Sequence, residues 1–223
     1  MLKPTANAAL RGAKRRASGP GRPRSEAADR AILRAALEVF IDRGIDGASI
    51  EQIADTAGVA RTTLYRRWSS KEELIAQAIA AARGTPEQRA VANRIGLTRL
   101  RGILADAIAE MLTRPDIEKM AARLIGSVPT CPKLMEIYWK KYMTPRREII
   151  RGLLERARNE RLIRADSDPE LLMDLISGAI VHHSMLRPGR RSAAEMRAYL
   201  LAVLRELGLG GKAEAGAQNT RRC

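Results

Sequence analysis

The stretch SIEQIADTAGVARTTLYRRWSSKEEL, residues 49–74, constrains the fold more than any other part of the chain. Ser49 has Gln52 three residues on, and Ser70 has Glu73 three residues on. A hydroxyl followed at that spacing by Glu or Gln is a capping box, the mark of a helix start. Between the two boxes Gly58 stops the first helix, and a short basic segment follows at about 60–68. On a wheel of about 100° per residue, Leu64 and Trp68 fall roughly 40° apart, opposite Thr62, Thr63 and Arg66. Arg61 and Tyr65 flank the outer face at its N-terminal end, and Arg67 sits at its other border. Two helices joined by a short Gly-containing turn, the second one basic outside and apolar inside, describe a helix-turn-helix. Leu64 and Trp68 are expected to pack back onto Ile53 and Phe40.

The remaining sequence is helical in pattern as well. SEAADRAILRAALEVFIDRG sets Ile32, Ala36 and Phe40 on one stripe, with Gly44 placed to end the helix. The Ser70 helix buries Leu74, Ile75, Ala78 and Ile79. Residues 85–95 look like a connector, followed by helical stretches at about 96–112, 116–127, 133–161, 168–186 and 192–207. Pro115, Pro132 and Pro169 fall where a first helical turn tolerates proline. Pro145 lies inside a stretch and predicts a kink or a break. Aromatics are only 3% of the 223 residues, and no segment alternates with period two for long. The expected fold is all-α: a three-helix helix-turn-helix domain over 25–84, then a helical domain over 85–208. A basic arm (1–24) and a tail (209–223) flank them, both expected to be disordered.

Charge points the same way. The net charge is +15, and residues 1–24 contribute Lys3, Arg11, Lys14, Arg15, Arg16, Arg22 and Arg24 without an acid. Such an arm suits a polyanion. Within it GRPR is narrow and extended, a form in which Arg22 and Arg24 can enter an A·T-rich minor groove. Two cysteines, Cys131 and Cys223, make no disulfide framework and no metal quartet. The N-terminus has no apolar signal region, and no uncharged run is long enough to span a bilayer, so a cytoplasmic protein is expected. Neither a phosphate loop nor a Ser/His/Asp order is present, and the only histidines are His182 and His183. An enzyme is therefore not expected, nor a cofactor. Adjacent side chains on a helix diverge by about 100°, which argues against a metal pair and for histidines in a core or a dimer interface.

Over roughly residues 28–80 the chain resembles the DNA-binding domain of the TetR family of bacterial transcriptional regulators. The matching positions are Phe40, Gly44, Ser49, Ile53-Ala54, Ala57-Gly58-Val59, Leu64-Tyr65 and Ser70-Lys71-Glu72-Glu73-Leu74. Trp68 stands where the family usually has Phe, a larger anchor. The resemblance implies that Arg61, Thr62 and Thr63 face bases of double-stranded DNA. It implies that Tyr65, Arg66 and Arg67 grip the backbone or the groove edge, and that Ser49 and Lys71 touch phosphates. It further implies a homodimer formed by the last two helices, and a small-molecule effector held in the second domain. Met135, Tyr138, Trp139, Tyr142 and Met143 cluster there as a candidate effector wall, rigid aromatics beside adaptable methionines. The function expected is a sequence-specific, ligand-responsive repressor on a pseudo-palindromic operator. The rival is an architectural protein that coats DNA through charge; it accounts for the arm but not for the split face of 61–68.

Overall fold

The computed structural model describes residues 26–83, 97–189 and 191–209, and every regular element among them is helical. Helix α1, Glu26–Gly47, opens with Glu26 and Asp29 in its first turn, where carboxylates meet the positive end of the helix dipole. Ile32, Ala36 and Phe40 are fully buried along one side. Gly44 has φ 71 and ψ −177, a left-handed φ that glycine takes without a steric cost. The helix proper ends there as expected. A further turn to Gly47 then carries Ile45 into the core, with Ala48 buried just beyond it.

Helix α2, Ile50–Ala57, starts on a complete capping box: the Ser49 hydroxyl accepts from Gln52 N and the Gln52 side chain accepts from Ser49 N. Gly58 ends it in the left-handed region at φ 66. Helix α3, Arg61–Tyr65, is shorter than the expected 60–68. A tight turn takes over, in which Arg67 N and Trp68 N both donate to Leu64 O at 2.9 Å. Helix α4, Lys71–Ala82, is the helix expected after Ser70; it packs along α1 and closes the N-terminal unit behind the helix-turn-helix.

The second half holds α5 (Leu97–Leu112), α6 (Pro115–Gly126), α7 (Pro132–Tyr138), α8 (Thr144–Asn159), α9 (Pro169–Val181) and α10 (Ala193–Glu206). A π turn, Trp139–Met143, joins α7 to α8, and another, His182–Leu186, follows α9. Pro115, Pro132 and Pro169 each stand in a first turn. The departure expected at Pro145 takes the form of a π turn just before it, which puts Pro145 in the first turn of α8. Proline has no N–H, and its ring would crowd the carbonyl four residues back. The π turn widens the backbone just before it, with Thr144 N donating to Trp139 O.

The main core is not confined to the N-terminal unit. Phe40, Ile53, Leu64, Trp68, Leu74 and Ile79 share it with Ile117, Met120 and Leu124 of α6 and Leu134 and Tyr138 of α7. Burying a side chain of this size contributes about 1.5–3 kcal/mol, so the helices on either side of the expected boundary at 84 stabilise each other. Polar contacts reinforce the junction. Arg123 of α6 donates to Ile41 O and Asp42 O at 3.0 Å, and Arg83 donates to the Tyr138 hydroxyl at 2.9 Å. Smaller clusters join α8 to α9 and α5 to α10.

Candidate nucleic-acid interface

The short helix α3 is anchored from behind. Leu64 is fully buried, Trp68 nearly so, and the Trp68 indole donates to Gln77 Oε1 at 2.7 Å. Both side chains lie in one core with Ile53 and Phe40. The opposite side of α3 faces outward. Arg61, Thr62 and Arg66 are exposed, Thr63 is half-buried, and Tyr65 is 62% exposed. Arg61 pairs with Glu51 of α2 at 3.5 Å. The Glu51 carboxyl is held below its usual range, first by backbone hydrogen bonding at the start of α2, then by Ser49 and Arg61. An ion pair this open to solvent contributes little, so Arg61 can leave Glu51 for another acceptor at small cost.

Two of the expected contacts are turned away from this face. The Arg67 side chain is 10% exposed and is bound by Asp29 of α1. Because α3 ends at Tyr65, the tight turn rotates Arg67 off the wheel that a longer helix would follow and lays it against the first turn of α1. Lys71 is likewise engaged internally: its ammonium donates to Ile45 O at 2.7 Å and Ala48 O at 2.8 Å. Those carbonyls belong to the end of α1 and the loop before α2, so Lys71 ties α4 to the entry of the helix-turn-helix. Ser49 accepts from Gln52 N at 3.2 Å, and its own hydroxyl hydrogen remains able to donate. Arg22 and Arg24 lie outside the described residues.

The partners that fix this arrangement carried no signal in the sequence. Asp29, Gln77 and the carbonyls under Lys71 are distant in the chain from the groups they hold. A capping box marked Glu73, but nothing marked its pairing with Lys141.

The candidate effector wall is divided by the structure. Tyr138 is buried in the main core, its ring 6.2 Å from that of Tyr142, and Met135, Tyr142 and Met143 pack at the edge of the same core. Burial, and to a lesser degree Glu73, pushes the Tyr142 hydroxyl above its ordinary pKa. Trp139 points elsewhere. It is 46% exposed, with the Arg147 guanidinium 5.6 Å from its ring. Neighbouring helical side chains diverge, so the five residues do not line one wall.

His183 is buried and stacks on Tyr199 with ring centroids 3.7 Å apart, whereas His182 is exposed. No group of metal-ligating side chains occurs among the described residues. No described helix is long and apolar enough to cross a membrane. On α9, Leu171, Leu175, Ser177, Gly178 and Val181 are exposed, and Leu186 beyond it is too.

Residues 32–78 match the profile of bacterial regulatory proteins of the tetR family, and residues 100–203 match that of a tetracyclin repressor-like C-terminal domain. The chain is similar to the HTH-type transcriptional regulator YdeS of Bacillus subtilis, 31% identical over 168 residues, 74% of this chain and 82% of that one. It is 47% identical over 68 residues to the HTH-type transcriptional activator FasR of Mycolicibacterium smegmatis, a match spanning 29% of this chain and 31% of the relative. The fold is shared with a TetR-family regulator crystallised from Mesorhizobium loti. That likeness has a TM-score of 0.62 at 24% identity and covers 83% of this chain and 98% of the other.

Proposed function

Because the chain belongs to the TetR family and is a helix-turn-helix transcriptional regulator, we propose that it is a cytoplasmic, effector-responsive repressor bound as a homodimer to a pseudo-palindromic operator. One observation carries the DNA half of this proposal. The face with Arg61, Thr62, Tyr65 and Arg66 is exposed, while Leu64 and Trp68 clamp the other side of the same short segment into the core. A helix so held can enter the major groove without leaving its domain. Arg61 then pairs with a guanine edge, and the threonine methyls meet thymine methyls. Tyr65, Arg66 and the Ser49 hydroxyl fix phosphates.

Residues 25–84 form the reading unit of this regulator, and residues 85–208 carry dimerisation and the effector. The exposed apolar side of α9 supports a dimer: Leu171, Leu175 and Val181 recur at helical spacing with Gly178 among them. Two copies present two reading helices to two half-sites, which one short helix needs for specificity. Of the aromatic stripe, Trp139 is the most exposed member, and we assign to it the first contact with an effector.

The test is selection of duplexes from a random pool by the full-length protein, followed by competition with unrelated DNA. A sequence-specific regulator keeps its selected site against roughly a 10³-fold excess of competitor. An enriched pool without a common sequence, lost at equal competitor, would establish the architectural alternative instead. Reporter output from the selected site, with and without the protein, decides repression.

A further inference from the structure

The carboxylate of Glu73 joins two parts of the molecule. One oxygen accepts from the backbone N–H of Ser69 at 3.0 Å and from the Ser69 hydroxyl. The other is bound by the ammonium of Lys141, which stands in the π turn between α7 and α8. Ser69 directly follows Trp68, whose N–H closes the turn after α3 on Leu64 O. A full capping box would set the Glu73 carboxylate on the N–H of Ser70. Here Ser70 supplies only its half, accepting from Glu73 N at 3.1 Å, and the carboxylate reaches one residue further back. One side chain thus touches both the exit of the DNA-reading segment and the second half of the chain. Its donors, Lys141 foremost and then Ser69, draw the Glu73 carboxyl down to about 2, so it is ionised throughout the neutral range.

A second ion-pair cluster grips the same π turn from its other side. Arg147 lies over the Trp139 ring and binds Glu170 at 2.6 Å and Asp174 at 2.8 Å, both on α9. Trp139 and Lys141 are two residues apart within the turn. The backbone of the π turn is thus held at Trp139 by Arg147 with its α9 partners, and at Lys141 by Glu73 with Ser69. A π turn inside a helix is a local departure from α-helical register and often accompanies function.

We infer that Glu73 and Lys141 are positioning residues for DNA binding: Lys141 sets the Glu73 carboxylate, the carboxylate holds Ser69 and the end of the α3 segment, and a shift of the π turn releases that hold. This rests on α3 being the DNA-reading helix. Neither residue touches DNA. Coupling between two sites is shown by its effect on both, and the variants below measure it.

Lys141→Met removes the cation and keeps the stem, Glu73→Gln keeps an acceptor for Ser69 but loses the charge, and Lys141→Arg keeps the cation. The first measurement is amide hydrogen exchange of full-length protein without DNA or effector. Ser69 is expected to exchange severalfold faster in Lys141→Met and Glu73→Gln and at the wild-type rate in Lys141→Arg, with core amides of α1 and α4 unchanged. The second is titration of a labelled duplex taken from the selection above. For a pair this exposed, either variant should lose about twofold to fivefold in affinity, and the double variant no more than Glu73→Gln alone. Unchanged Ser69 exchange in Lys141→Met overturns the inference. So does equal acceleration throughout α1 and α4, which marks general destabilisation, and so do losses that multiply in the double variant. The exchange measurement uses no DNA, so its failure is separate from failure to select a DNA sequence.

Discussion

At the residue scale, Trp68 and Lys71 are engaged inside the protein, behind the face proposed to read DNA. Trp68 fills the core behind α3, and truncating a buried aromatic costs about 3–5 kcal/mol. Trp68→Ala should lower the melting temperature and abolish DNA binding together; normal melting with lost binding would put Trp68 on the DNA. Lys71 satisfies two carbonyls, Ile45 O and Ala48 O. Lys71→Ala leaves them without that donor, at a cost of about 1–2 kcal/mol, and should lower the melting temperature. A phosphate contact behaves differently: its loss leaves melting unchanged and reduces the salt slope of binding by about 1. Trp68 was legible in the sequence because its role follows from spacing to Leu64 on one short segment. The internal positions of Lys71 and Arg67 were not, because their partners lie 26 and 38 residues away and only the packing of α1 against α2 and α4 brings them near.

At the scale of elements, starts and stops were written locally. Ser49 with Gln52 begins α2, Gly58 ends it, and Ser192 with Glu195 begins α10 on a complete capping box. The π turns were not legible. Whether a helix widens or breaks at a residue such as Pro145 depends on neighbouring helices, not on the local sequence. The second π turn carries a titratable group. Burial lowers the His183 pKa from 6.5, helped by Arg191, Arg187 and His182 and opposed by Glu195. Its Nε2 is buried without a hydrogen-bond partner, and its ring stacks on Tyr199. The folded protein therefore holds the neutral ring, while the unfolded chain takes up a proton at higher pH. Stability from this site is complete above pH 6.5 and is lost as pH falls through and below that value. Thermal melting followed downward from neutral pH should show a decline that His183→Phe, which keeps the stacking but cannot titrate, makes shallower. An equal decline in both proteins would assign it to other groups.

At the scale of the whole molecule, the proposed hold on DNA rests on charge and on two-fold symmetry. The net charge of +15 is concentrated in part in residues 1–24, which include Arg22 and Arg24. If those two arginines of each subunit neutralise phosphates, a dimer places about four there, and deleting the arm should flatten the dependence of log K on log salt by about 3.6 units. Titrations between roughly 50 and 200 mM salt check this, and an unchanged slope would make the arm a tail. The all-α class and the helix-turn-helix were both legible from periodicity and caps. The shared core was not, since the packing of α6 onto α1 and of α7 onto α4 is a long-range choice that leaves no local pattern.

The outward face of α3 is proposed to read base edges, twice, in a symmetric dimer. The most direct test is the base-by-base binding profile of Arg61→Ala beside that of the wild type, on variants of the selected site. The expected result is a loss of about 1–3 kcal/mol and a relaxed preference at one position in each half-site, related by the two-fold axis. A profile that keeps its shape while affinity falls evenly would contradict it, because Arg61 would then be holding the backbone and the reading would lie elsewhere.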